Sequence, residues 1–261
     1  MQELLIERGE AAAWLTLNRA GDMNSLNWGL LKALEAAFNE ALADQSVRVI
    51  VFTGAGRAFC AGADLKFIDA LPEQDRNEAT GAFLLAATTL ISNIAASPKP
   101  TIAAVNGVAV GGGLELLLAC DIILAVRGAP IGDGHANYGL LPGAGSSVRL
   151  PRRIGIGRAK QLLFTGELLP AERMAEFGLV NEVVDPADLK ARTDAVANAI
   201  AAKSPIGLAR MKQIVGHAFD MPEASGLALE QALGNLHTTS FDRNEGLAAF
   251  RERRAPIFLG R

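Results

Sequence analysis

At 261 residues the chain is long for one compact unit and short for two, so one core with an appendage is expected. Half of the residues are apolar and a fifth are charged, which excludes disorder, and 25 basic against 28 acidic residues give a net charge of −3, which excludes a coat for nucleic acid or for an anionic membrane. Two cysteines, Cys60 and Cys120, are too few for a disulfide framework or a four-ligand zinc site and fit a reducing compartment.

The first ten residues carry three acids and no basic stretch ahead of an apolar one, so no secretory signal is expected and the protein is placed in the cytoplasm. LLIERGE followed by AAAWLTLN reads as a hairpin turning near Gly9. Apolar residues then recur at helical spacing from Asn27, a candidate N-cap, to Ala43. VRVIVFTG is a continuous β-branched run ending in glycine, the pattern of a strand buried on both faces of a parallel sheet. Ala63 to Leu71 and Arg76 to Ser97 read as helices, TIAAVNGVAV as strand, GGLELLLAC as helix and DIILAV as a further buried strand. Pro100 to Val126 is long and apolar enough to suggest a membrane span, but Asn106, the Gly111–Gly113 run, Glu115 and Asp121 interrupt it. Strands alternating with helices predict an α/β fold. Past Asp185 four helices are predicted, Asp188 to Ala202, Ile206 to Phe219, Glu223 to Thr239 and Arg243 to Arg253, with no further strand. The expected layout is a core over 1–190 and a helical region over 191–261 whose apolar faces favour oligomerisation.

Several chemistries find no support. There is no Gly-Lys pair for a phosphate-binding P-loop, and GAGRAF lacks the third glycine of a dinucleotide fingerprint. The only tyrosine, Tyr138, has Pro142 rather than lysine four residues on, and Ser146 and Ser147 sit in no nucleophile elbow. His135, His217 and His237 form no paired zinc motif, so no metal site is expected. His217 and His237 fall on predicted helices and read as structural.

Two glycine-containing turns point to chemistry on an oxyanion. AFCAGAD, Ala58 to Asp64, precedes a helix that Asp64 can cap, and VNGVAVGGGLELLLACD opens a helix with three glycines. One N–H from each turn would form a two-donor hole for an enolate or tetrahedral oxyanion, worth about 3 to 4 kcal/mol per donor. Glu115, in the first turn of the second helix, would stand beside it. Cys60 adjoins this turn but has no histidine near it in sequence and reads as a buried structural thiol.

These pieces, together with LTLNRAGDMNSL, GRAFCAGADL, YGLLPGAGSSVRLPRRIG, TGELLPAERMAEFGLVNEVV and FDRNEGLAAFRERRAPIF, resemble the crotonase, or enoyl-CoA hydratase/isomerase, superfamily over essentially the full length. The resemblance implies a spiral of ββα units, a helical C-terminal trimerisation region, assembly as trimers or dimers of trimers, and acyl-CoA thioester substrates. Coenzyme A then enters as part of the substrate, with no separate cofactor. The family's oxyanion donors carry over to the N–H groups of Ala61 and Gly112, and the first of the hydratases' two glutamates to Glu115. Ungapped alignment of YGLLPGAG places His135 where the second glutamate is expected. This departure leaves three functions open: hydration of a 2-enoyl-CoA to the 3-hydroxyacyl-CoA; a CoA-thioester hydrolase, C–C lyase or isomerase using His135; or a silent acyl-CoA-binding homologue. Asp133 could orient His135 or supply a carboxylate, or simply be a turn residue, and Asn137 and Tyr138 could line the acyl pocket or pack. Arg19, Ala63, Asp64, Lys66, Arg253 and Arg254 fall at positions from which the family meets coenzyme A, against the alternative of ordinary surface charge.

Overall fold

The computed structural model describes residues 2–64, 66, 70 and 72–261. β1 (Leu4–Arg8) and β2 (Ala12–Leu17) form the expected antiparallel hairpin, closed by a hydrogen bond from the Gly9 N–H to the Ala12 carbonyl. Asn27 caps α1 (Trp28–Ala43), its Oδ1 accepting a 2.8 Å hydrogen bond from the Leu30 N–H. Leu30, Leu31, Leu34, Ala37, Phe38 and Ala41 face the core from this helix. β3 (Val49–Gly54) is buried along its whole length, as its unbroken apolar run requires, and pairs in parallel with β2 on one side and β5 (Thr101–Val105) on the other.

From β3 onward the chain winds as a spiral. Each turn lays one strand in a large sheet, crosses to a short strand in a small sheet and returns through helical structure. β3 is followed by β4 (Ala58–Cys60) and α2 (Glu73–Ala95); β5 by β6 (Val108–Val110) and α3 (Gly112–Ala119). β7 (Ile122–Val126) leads to β8 (Pro130–Gly132), a 3-10 turn at His135–Tyr138, then α4 (Ser146–Ile154) and α5 (Ile156–Thr165). β9 (Leu168–Pro170), α6 (Ala171–Glu176) and β10 (Glu182–Val184) complete the two sheets, ordered β1-β2-β3-β5-β7-β10 and β4-β6-β8-β9. This is the ββα spiral that the sequence led us to expect. The helix expected over Ala63 to Leu71 lies partly outside the described residues, and with it the capping role of Asp64.

The apolar stretch Pro100 to Val126 is β5, β6, α3 and β7, buried in the middle of the protein. α2 is long and apolar enough to cross a membrane by length and composition. Its Phe83, Leu90, Ile91 and Ile94 are nonetheless buried against the core, with the Phe83 ring edge-on to Trp28 at 5.5 Å between centroids.

Four helices end the chain: α7 (Leu189–Ala201), α8 (Pro205–Gly216), α9 (Glu223–His237) and α10 (Phe241–Glu252). α7 lies on the large sheet against β2, β3, β5 and β7, burying Leu189, Thr193 and Ala197. A division after residue 190 falls within this helix, which packs on the core. α9 buries none of its residues, and Met211, Val215, Phe219, Leu236 and Phe250 are exposed beyond α7.

Candidate active site

β4, β6 and β8 are adjacent and parallel, so the turns that follow them share one edge of the small sheet. These turns hold Ala61–Asp64, Gly111–Gly112 and Asp133–His135. Ligands in α/β structures gather at such carboxyl-terminal edges because the chain leaves every strand there with free backbone groups.

The first two turns are in van der Waals contact. A Cβ placed on Gly112 would stand 3.4 Å from the Gly62 Cα, and one on Gly62 3.2 Å from the Gly112 nitrogen. Gly113 admits no side chain, since its Cβ would run into the Cys60 carbonyl at the end of β4. Gly111 has φ 57° and ψ −120°, a conformation that L side chains avoid, and its N–H donates to the Asp133 carbonyl at 2.8 Å, tying the second turn to the third.

Backbone bonding corrects one expected donor. The Ala61 N–H donates to the Met23 carbonyl at 3.0 Å and is not free for a ligand. Two residues on, Leu26 and Ala63 form a parallel bridge in which the Leu26 N–H donates to the Gly62 carbonyl and the Asp64 N–H to the Leu26 carbonyl. The Ala63 N–H therefore points to the other side and has no acceptor among the described residues. Gly112 opens α3, where an N–H has no carbonyl one turn earlier to receive it. The candidate pair is Ala63 and Gly112.

Glu115 is 3% exposed in the first turn of α3. Its Oε1 accepts the Ala144 N–H at 2.6 Å and the Ser146 N–H at 3.2 Å, while Oε2 accepts none among the described residues. Arg149 grips the Ala144 carbonyl at 2.7 Å and so steadies the loop that holds Glu115. Burial raises the Glu115 carboxyl above the ordinary glutamate range, and the two backbone donors and His135 pull it only part of the way back. A carboxyl raised in this way is a better proton acceptor than an ordinary glutamate.

Asp133 and His135 form the third turn's contribution. One oxygen, Asp133 Oδ1, meets the His135 backbone N–H at 3.2 Å and the ring Nδ1 at 2.9 Å. Burial alone would lower the His135 pKa, but the hydrogen bond and charge of Asp133, with Glu115 behind them, carry it above the ordinary histidine value. The opposite edge of the ring lies over Gly111: a Cβ there would be 3.6 Å from Cε1 and 3.7 Å from Nε2. Glu115, His135 and Asp133 thus meet around one glycine.

The other expected residues divide sharply. Arg19 is engaged within the protein, bonding the Asp64 carboxylate at 2.8 Å, Asp22 at 3.1 Å, Glu3 at 3.2 Å and the Ser25 carbonyl at 2.5 Å. With its side chain 13% exposed, Arg19 is committed to these internal contacts, Asp64 among them, and offers little of its guanidinium to a ligand. Arg254 is held by Glu245 and Glu252. Lys66 is 88% exposed with one long contact to Asp22, and Arg253 is exposed with no ion pair among the described residues. Asn137 turns away to the Gly166 carbonyl at 2.9 Å, and Tyr138 is 72% exposed, so neither closes a pocket within this subunit. Cys60 is fully buried with its thiol pushed up to about 12, which removes it as a nucleophile. Among the described residues no three His, Cys, Asp or Glu side chains cluster as metal ligands.

Arg149 and the backbone of Ala144 and Ser146 were not anticipated as site residues. The signal was present in the glycine-framed GAGSSVR segment just before a helix.

Comparison with known proteins agrees with this architecture. Residues 7–261 match the family model for enoyl-CoA hydratase/isomerase. The mitochondrial enoyl-CoA hydratase domain-containing protein 2 of Mus musculus is 41% identical over 95% of this chain and 84% of its own. The 2,3-dehydroadipyl-CoA hydratase of Escherichia coli is 37% identical over the full length of both chains. The crystal structure of an enoyl-CoA hydratase from Bacillus anthracis superposes with a TM-score of 0.94 at 35% identity, covering 100% of both chains. With its ββα spiral, its glycine turns on one sheet edge and a family match across nearly every residue, the chain belongs to the enoyl-CoA hydratase/isomerase family of the crotonase superfamily.

Proposed function

We propose that this protein adds water across the double bond of a 2-enoyl-CoA to give the 3-hydroxyacyl-CoA. The observation that carries the reading is the buried Glu115 carboxyl beside the N–H groups of Ala63 and Gly112, with its Oε2 and both of those N–H groups unbonded among the described residues. The thioester oxygen would sit on those two donors, which stabilise the charge that develops as hydroxide adds to the β-carbon, by about 3 kcal/mol each. Glu115 takes the proton from the attacking water. Coenzyme A enters with the substrate, and water is the only other reactant. Lys66 and Arg253 are the cations left available for its phosphates.

The exposed apolar residues of α8, α9 and α10 support a homo-oligomer, trimer or dimer of trimers, built on the region after the core. We place the enzyme in the cytoplasm, in keeping with its two unbridged buried cysteines.

His135 favours a second reading, because an imidazole held by a buried carboxylate can also activate water against a thioester or β-keto carbonyl. One experiment separates the two. Purified protein is incubated with enoyl-, β-keto- and saturated acyl-CoA thioesters of graded length, and the products are weighed by mass spectrometry. Hydration predicts an enoyl-CoA product heavier by one water with the thioester intact. Release of free coenzyme A or C–C cleavage would establish the second reading, and tight binding with no turnover would make the protein a silent acyl-CoA binder.

A further inference from the structure

The hydration proposed above gives Asp133 nothing to do, yet its carboxylate is 1% exposed and its Oδ2 is buried without a hydrogen-bond partner among the described residues. A carboxylate so placed is costly unless it holds a cation. Among the described residues it holds His135 alone, and it does so twice from one oxygen, through the backbone N–H at 3.2 Å and the ring Nδ1 at 2.9 Å. Those two contacts close a short ring that stops the imidazole from turning. The ring's far edge is thereby presented over Gly111, immediately before the Gly112 N–H that would carry the substrate's oxygen.

We infer that Asp133 is a positioning residue that keeps a proton on both ring nitrogens of His135, so that Nε2–H delivers the proton to the α-carbon of the enoyl thioester while Glu115 alone serves as base. The inference rests on the hydratase reading and deepens it. The balance is complete. Glu115 removes one proton from water, the hydroxide forms the bond to the β-carbon, and the electron pair of the double bond moves to the thioester enolate. The enolate collapses by taking the Nε2 proton at the α-carbon. Passage of the proton from Glu115 to His135 restores both groups, and nothing is oxidised or reduced.

The charges that face His135 are few. Asp133 lies on its own loop and Glu115 on α3, while Arg149 of α4 stands in the field of Glu115. Of the helix packed against the 3-10 turn, α5, Arg158 stacks on the Phe177 ring and Lys160 is exposed. Asp133 is thus the one group dedicated to keeping the imidazole charged.

The test is the pH dependence of crotonyl-CoA hydration in the wild type and in Asp133→Asn, which keeps the shape of the side chain and removes its charge. If His135 is the acid, activity falls on the alkaline side as the ring loses its proton, and Asp133→Asn moves that limb down by about one pH unit or more and lowers kcat roughly 10- to 100-fold near pH 8. The acid limb, set by Glu115, moves less, because the charge of Asp133 is the smallest of the influences on that carboxyl. An alkaline limb indifferent to the substitution overturns the inference, as does movement of the acid limb instead, which would make His135 a base. If Asp133→Asn fails to fold, NMR titration of the His135 ring in the wild type decides. Its pKa must coincide with the alkaline limb of hydration, and a mismatch overturns the role. A wild type that hydrates no enoyl-CoA overturns the hydratase reading together with this one; hydration without dependence on Asp133 overturns this one alone.

Discussion

Two clusters of charge flank the glycine turns, and they have opposite characters. Around Arg19, each strong interaction ends inside the protein: Glu3, Asp22, Asp64 and the Ser25 carbonyl occupy the guanidinium, and Asn24, fully buried, ties the same loop to the Ala55 and Ala58 carbonyls. Around Gly111, the bonding stops short. Among the described residues, Glu115 keeps one oxygen open, His135 keeps Nε2, and Asp133 keeps an oxygen with no partner. Both clusters are rich in acids and bases, and both lie beside the turn after β4. Saturation, rather than the presence of charge, separates the one that holds the fold from the one equipped to act on a ligand.

Substitutions on the two sides should separate activity from stability. The largest effect is expected from Glu115→Gln, which keeps an acceptor for the Ala144 N–H and removes the base: kcat for enoyl-CoA hydration should fall about 10²- to 10⁴-fold with the melting temperature unchanged or raised. On the other side, Arg19→Met should cost about 1–3 kcal/mol of unfolding free energy in urea titration, because it takes a charged partner from a largely buried carboxylate. It should change KM less than twofold; a large rise in KM with unchanged stability would return Arg19 to the ligand.

A smaller effect follows from the sign of the His135 shift. Its pKa is raised in the folded protein, so its contribution to stability is fully present below the unfolded value of 6.5 and is lost as pH rises through the folded one. The melting-temperature advantage of wild type over His135→Gln should therefore be greatest at mildly acid pH and shrink toward alkaline pH. A gap that widens with pH would contradict the pairing with Asp133. The smallest change is expected from Lys66→Ala. At 88% exposure its loss should leave stability within about 0.5 kcal/mol, while the KM for acyl-CoA rises a few-fold if the side chain meets a phosphate.

Much of this was legible in the residues. The unbroken apolar runs of β3 and β7, the Asn27 cap and the three glycines before Glu115 each announce their structure locally, and all stand where expected. β4, β8 and β9 did not, since three residues are too few to show a period. The donor in the first turn was misplaced from Ala63 to Ala61 for a related reason. Which N–H faces outward is decided by the bridge to Leu26 and the bond to Met23, partners that lie far back in the chain. The saturation of Arg19 was not legible, because it depends on three segments coming together. Asp133, two residues before His135, was open to reading as its partner or as a plain turn residue; the hydrogen bond that decides between them was not legible.

The participating groups arrive on three successive windings of the spiral, Ala63 on the first, Gly112 and Glu115 on the second, and Asp133 with His135 on the third. A nascent or clipped chain that lacks β8 beside β6 can own half of the groups and still present no complete constellation. With these residues as the acting groups, the site is complete only once the third strand of the small sheet has been laid beside the second.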